Sequence, residues 1–532
     1  MPQPLLALAA PAARQFGGID WIVLAAYALA ILAIGFYYSR RQRTTEEFFV
    51  AGRNKRPILA GISIFASMFT LISYLAVPGE WVQNGPVVAC FNVLSVPVIL
   101  LIVGFFLIPG IMKLPITSAY ELLEARLGRT GRMLGSGTFA VIRLVWMALI
   151  LYTTALILVS TIGCDRGWVP TFELGMGLVA TATALAGGMD AVMIISVVDF
   201  LVLLLGAILT VASITVRVGG LGGWFPHRWE AHWAPEPFFS TDPHVRVTML
   251  GTFVVFAIGQ ICLAGSDQIA IQRYLTTRDA AAARRAYVNT AISIAGTFAL
   301  LGVVGASVVG FYTAFPGSLP AGMSVAKNGD ICFPYYMSHY LAPGLSGLVV
   351  AGMLAGSMSG LCAGVNSVVT VLAKDFVDTT RWGSARSDTS RLRTARILSL
   401  CVGVVIVLGS LVIGAVPGNL IEVTNKTVNL FMYALFGLFF LAMFVRFATP
   451  FGAVMSVVYG VAAAILVGYW DLIAGGPRLS FQWIAPVSQS VSIASGVLFS
   501  LLPTRGRRGA VIAGWAVASL APLAAAIAWL LR

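Results

Sequence analysis

Four ionisable side chains stand where ionisation is expensive. Arg143 lies in the run Val141–Met147, otherwise built of Val, Ile, Leu, Trp and Met. Asp199 sits in a second apolar run, and Glu422 and Lys426 in a third. Charges inside long apolar segments are rare and tend to mark solute and ion pathways. A guanidinium at 143 matches a carboxylate through two parallel N–H contacts, which makes it a counter-charge for an anion. The alternative is an arginine that snorkels to a basic surface or pairs with a carboxylate on a neighbouring helix. Asp199 is a candidate carrier of a proton or cation, or the partner of a base such as Arg143. Glu422 and Lys426 are spaced to share one helix face, as an outer gate or a structural ion pair.

Neutral oxygen donors accompany them. Gly352, Gly356, Gly360 and Gly364 recur every fourth residue and lay a smooth stripe along one helix face, where another backbone can approach closely. Ser357, Ser359 and Asn366 add hydroxyl and amide oxygens to that helix. A second run carries Ser63, Ser67, Thr70 and Ser73 and ends at Pro78-Gly79. Interrupted helices with such residues form binding sites in the middle of the membrane in secondary transporters. Nothing comparable points to bond-breaking chemistry. There is no HExxH, P-loop or GxSxG, and His227, His232, His244 and His339 all lie between the apolar runs. No catalytic residue is assigned, and an enzyme is not expected. His227 and His232, with Glu230 between them, are read as a solvated loop before a metal site. The six cysteines show no CxxC; Cys164 and Cys332, both in loops, are the one pair offered for a disulfide.

The elements that must position these residues are helices. Fourteen apolar runs approach the length that crosses about 30 Å of hydrocarbon. They are Ile19–Tyr38, Leu59–Trp81, Val87–Ile108, Gly135–Ile162, Thr171–Ala186, Ala191–Val216 and Val247–Leu263. The remainder are Val288–Phe311, Leu345–Ala373, Ala395–Ile413, Asn419–Phe444, Phe451–Tyr469, Pro486–Leu502 and Gly509–Leu531. Runs this long span as helices, because every backbone polar group must be satisfied within the segment. The loops between them alternate in charge. Those with Arg40 to Arg56, Lys113 to Arg132, Arg273 to Arg285, Lys374 to Arg396 and Arg505 to Arg508 all fall on one side. Cytoplasmic loops carry this excess. The expectation is a multi-pass protein of the plasma (inner) membrane with both termini external.

Composition agrees: 58% hydrophobic, 10% charged, mean hydropathy +0.90. The net charge of +13 resides in short basic loops, where orientation and anionic lipid headgroups account for it, so nucleic acid is not an expected partner. Membrane lipid and a small solute are; no obligate protein partner is evident. Met1–Gly18 reads as an external tail.

Four stretches then resemble one family in the right order. Thr45-Glu-Glu-Phe-Phe-Val-Ala-Gly-Arg resembles the entry to the first core helix of the sodium:solute symporters. Ala119-Tyr-Glu-Leu-Leu-Glu-Ala-Arg-Leu-Gly, Ser266-Asp-Gln-Ile-Ala-Ile-Gln-Arg-Tyr-Leu and Leu345–Asn366, closing with Lys374-Asp-Phe, resemble three further motifs. The resemblance implies an all-α integral membrane protein of the LeuT type, with an inverted five-plus-five helix repeat and about fourteen transmembrane helices. It divides the chain into 1–58 (external N-terminus, extra helix and basic loop), a ten-helix core over 59–444 with repeats at about 59–216 and 247–444, and three further helices in 445–532.

The family's sodium ligands fall on the carbonyls of Ala66, Phe69 and Gly356 and the hydroxyl of Ser359. The second hydroxyl is replaced by Gly360, with water or Ser357 to compensate. Ile195-Ser196 stands where the family often has Thr-Asp, and Asp199 where it often has Gln. The serines used by members with a second sodium fall on Cys362 and Ala363. One transported sodium is implied, with proton coupling through Asp199 as the rival. Sugar carriers place Asn, Glu and Gln where this chain has Met68, Ile72 and Ser73. Pro78-Gly79-Glu80 resembles the iodide, monocarboxylate and sialic-acid branch. The implied function is sodium-coupled symport of a small organic anion held by Arg143, Ser73, Thr70 and Gln260, with Met68 lining the pocket and Gln260 at the break of the seventh span. The alternatives are proton coupling, a sugar or amino-acid solute, or a transporter-like sensor.

Overall fold

The computed structural model describes residues 16–39, 44–113, 116–225, 229–379, 388–414 and 420–502; at 39, 45, 186, 187, 388, 414 and 420–430 only the backbone is described. Among the described residues the regular structure is helical throughout. An extra helix α1 (Gly18–Ser39) precedes α2 (Pro57–Met68), α3 (Leu71–Asn84), α4 (Val87–Ile102), α5 (Glu121–Ile162) and α6 (Val169–Arg217). There follow α7 (Met249–Ser266), α8 (Gln268–Tyr274), α9 (Ala280–Ala314), α10 (Gly329–His339), α11 (Leu345–Val371) and α12 (Asp388–Gly414). The last are α13 (Leu420–Phe444), α14 (Pro450–Gly468) and α15 (Ile484–Leu501).

Among the described residues ten helices are long and apolar enough to cross a membrane, eleven when the bent pair α2–α3 counts as one span. The fifth expected span is the first part of α6, and the eleventh corresponds to α13. The fourteenth, Gly509–Leu531, lies outside the described residues, as does the tail before Phe16.

Helix starts follow local chemistry. Thr70, Thr248, Asp267, Asp279 and Thr449 each place a side-chain oxygen on a backbone N–H of the first turn of the helix that follows. Two glycines with positive φ turn connecting helix into spanning helix: Gly128 within α5 (φ 68°) and Gly188 within α6 (φ 50°). Gly188 separates the two runs expected there.

The core gathers around α11, nearly every residue of which is buried. It packs on α6, α5, α1 and α2. Its glycine stripe takes the close approaches expected of it. A Cβ on Gly352 would lie 3.3 Å from the Leu203 Cα, one on Gly356 3.4 Å from the Leu71 nitrogen, and one on Gly360 3.5 Å from the Ser67 carbonyl oxygen. The stripe therefore seats α11 directly against the interruption between α2 and α3. α1 is tied to the start of α11 by Asp20, whose Oδ1 accepts from the N–H groups of Gly344 (2.8 Å) and Gly347 (3.0 Å) and the Ser346 hydroxyl (3.0 Å).

Candidate functional site

The α2–α3 pair bends by 73° at Phe69 and Thr70, both in extended conformation. The last four carbonyls of any helix lose their intrahelical donors. Phe65 still receives the Phe69 N–H, 2.9 Å, while the carbonyls from Ala66 to Phe69 come after the donors run out. A second interruption separates α7 from α8 at Asp267 (φ −84°, ψ 128°). This corrects one expectation: Gln260 lies inside continuous α7, two turns before the break.

A cavity of about 370 Å³ opens beside these interruptions, and Met68, Thr70, Ser73, Arg143 and Gln260 all line it. Phe139, Trp146, Phe256 and Tyr433 supply aromatic walls, and Asp267 contributes a carboxylate. Thr70 is held in place as the cap of α3, accepting from the Ser73 N–H. Arg143 is buried, ion-paired with Asp267 and stacked over the Trp146 ring, its guanidinium carbon 4.5 Å from the ring centroid. Of the two readings of Arg143, the structure supplies the helix carboxylate, and it is Asp267 rather than Asp199. It also leaves Arg143 facing the cavity. The other oxygen of Asp267 accepts from the Ile269 N–H, 2.8 Å, so this carboxylate both caps α8 and holds the guanidinium.

The residues expected to ligate a cation centre on Ser359. Its hydroxyl donates to Ser196, 2.9 Å, and Ser196 in turn donates to the Val192 carbonyl, 2.8 Å. That bond commits the Ser359 proton to Ser196 and leaves the Ser359 lone pairs as acceptors. Ser67 lies 3.1 Å from Ser196 and accepts 2.7 Å from the fully buried Arg273, which also binds Ser63 and the Ile269 carbonyl. Ser357, offered as a substitute for the hydroxyl missing at Gly360, turns toward α5. Its hydroxyl pairs with Thr154 at 2.6 Å, on α5. Trp146 joins the cavity to the glycine stripe: the ring that carries Arg143 is 3.3 Å from where a Gly360 Cβ would be. Asp267 and Arg273 have no role in the composition or spacing. Their signal is membership of the Ser266–Leu275 motif.

The four motifs meet on the basic-loop side. Asp375 accepts from Ser118 (2.6 Å), Ser136 (2.7 Å) and Arg132 (2.6 Å), and Arg132 also pairs with Glu124. Gln268 accepts the Ala119 N–H at 2.7 Å, and Gln272 donates to the Phe49 carbonyl at 2.6 Å. On the opposite side Arg246 pairs with Glu80. Half-buried Glu236 beside them is pushed up to about 7 by burial and then by the Glu80 carboxylate, against the pull of Arg246.

Other candidates disperse. Asp199 is buried and takes the Tyr27 hydroxyl at 2.7 Å. Glu422 and Lys426 fall on α13 among the residues whose side chains are not described, and His227 lies outside the described residues. His232 hydrogen-bonds the Val82 carbonyl, 2.9 Å. Cys164 and Cys332 are both free thiols, Cys332 inside α10 rather than in a loop.

Comparison with known proteins decides the family. The profile of the sodium:solute symporter family matches residues 48–460. The chain belongs to that family. Members of it are membrane transporters rather than enzymes, coupling a solute to transported sodium, and this chain is such a symporter. It is 29% identical over 461 residues to the sodium/sialic acid symporter NanT of Aliivibrio fischeri, covering 86% of this chain and 88% of that one. It is 27% identical over 495 residues to the sodium/sialic acid symporter SiaT of Proteus mirabilis, covering 91% and 95%. Human sodium-coupled monocarboxylate transporter 1 is 25% identical over 460 residues, covering 84% and 73%. The solved structure of a substrate-bound, outward-open Na+-coupled sialic acid symporter superposes with a TM-score of 0.77 at 24% identity, covering 91% of this chain and 98% of that chain. The fold is therefore of the LeuT type.

Proposed function

We propose that the solute is a small organic anion, bound in the 370 Å³ cavity with its carboxylate on Arg143. The observation that carries this reading is the convergence of Met68, Thr70, Ser73, Arg143 and Gln260 on that cavity. Arg143 puts a positive charge in the walls, which a carboxylate uses and a neutral sugar does not. The relatives named for sialic acid and for monocarboxylates support the same class. Asp267 neutralises Arg143 until the solute's carboxylate shares the guanidinium, so the arginine is never buried uncompensated.

Sodium binds to the carbonyls of Ala66, Phe69 and Gly356 and to the Ser359 hydroxyl, which Ser196 orients. Trp146, in contact with both sites, transmits occupancy of one to the other. The chain divides at about 58 and 444 into extra helix, core and C-terminal helices. It sits in the plasma (inner) membrane with the basic loops in the cytoplasm, as their excess of Arg and Lys requires. The test is uptake by reconstituted liposomes of labelled N-acetylneuraminate, pyruvate and glucose under separate inward sodium and proton gradients. Carboxylate uptake driven by sodium is the expected result. Glucose uptake, or carboxylate uptake driven by protons alone, overturns it.

A further inference from the structure

Asp199 is 1% exposed, in the middle of α6. One oxygen accepts from Tyr27 of α1. Among the described residues the other oxygen, Oδ2, has no hydrogen-bond partner although solvent does not reach it. The titratable groups facing it are Tyr27 from α1 and Cys362 from α11. No described ion pair includes Asp199. The Cys362 thiol is itself 3.1 Å from the Thr183 hydroxyl, which donates to the carbonyls of Val179 and Ala180.

A carboxylate sealed in this way without a counter-charge is strongly disfavoured, and the usual outcome is that it takes up a proton. A proton needs one oxygen, and the unpartnered Oδ2 supplies it. Asp199 also lies one helical turn from Ser196, about 4.5 Å of rise, on the helix that orients Ser359. We propose that Asp199, with Tyr27, is a proton-binding site set one turn from the sodium cradle. Sodium in the cradle favours the ionised carboxylate and expels the proton, and by linkage the proton weakens sodium binding equally. The proton goes on and off Oδ2, with Tyr27 continuing to donate to Oδ1. The linkage rests on the sodium site proposed above; the proton site does not.

The experiment is infrared difference spectroscopy of the purified full chain in lipid nanodiscs, titrated with acid and base in sodium chloride and in choline chloride. The wild-type protein is expected to show the carbonyl stretch of a protonated carboxyl group that Asp199→Asn lacks. Sodium should move its disappearance to lower pH by roughly 0.7 to 2 units, the 5- to 150-fold range usual for such couplings. Tyr27→Phe removes the donor that favours the ionised form, so the band should persist to higher pH, an assignment that holds even where the asparagine variant does not fold. Identical spectra for wild type and Asp199→Asn, or a band unmoved by Tyr27→Phe, overturn the proton site. A band that sodium leaves in place overturns the linkage. Thermal stabilisation by sodium, read on the same samples, tests the sodium reading separately: a wild-type protein that sodium does not stabilise sinks that reading and leaves the carboxyl band to decide this one.

Discussion

Arg143 answers to two masters, and a double substitution separates them. Its side chain is 6% exposed and that of Asp267 9%. Removing one member of such a buried pair leaves the other charge unpaired, at a cost of about 3–5 kcal/mol. Arg143→Gln should therefore lower thermal stability markedly. Arg143→Gln with Asp267→Asn removes both charges, and the asparagine oxygen still caps α8 through the Ile269 N–H. The double variant should recover most of the lost stability, to within about 1–2 kcal/mol of wild type. Transport should not recover with it. A charge-assisted hydrogen bond to the solute contributes about 1.5–3 kcal/mol, so carboxylate uptake should show a KM raised roughly 10- to 150-fold in both variants. The assay is paired: melting temperature in detergent, and sodium-driven carboxylate uptake in liposomes. Wild-type uptake in the refolded double variant would show that Arg143 serves only as the partner of Asp267, and would refute the anion role.

Ser359→Ala should raise the sodium concentration for half-maximal uptake about tenfold or more, and Ser196→Ala about 3- to 10-fold, because the first removes a ligand and the second only the acceptor that orients it; equal sodium activation curves would remove Ser359 from the site. Glu236, held at about 7 in the fold against an ordinary 4.5, is stabilising while neutral, so that contribution is lost as pH rises through about 7. Melting temperature should fall across that interval in wild type and stay level in Glu236→Gln; parallel curves would show that Glu236 does not titrate there. Asp375→Asn leaves Arg132 without its buried carboxylate, and hydrogen exchange in residues 116–127 should rise by about tenfold or more; unchanged protection would show that the basic-side knot does not hold this segment.

Much was decided by the chain alone. Helices had to form, because apolar runs of spanning length leave no other way to satisfy their backbone. Interruption of the run through Thr70 was legible in its serines and threonines, whereas Pro78-Gly79, expected to end it, lie inside α3, which runs on to Asn84; the glycines at 352, 356, 360 and 364 announced a close helix contact. Which atoms meet was not legible, because it depends on helix rotation and on neighbours far along the chain. Arg143 could have paired with either of two buried aspartates. The turn at Asp267 brings that one to it, while α1 brings Tyr27 to Asp199. Ser357 and Ser359 are two residues apart on α11, and about 200° of helical rotation sends one to Thr154 and the other to Ser196. The sequence determined that polar groups would be buried in a membrane; the packing of α11 against the broken helix decided which of them would line the cavity and which would face each other.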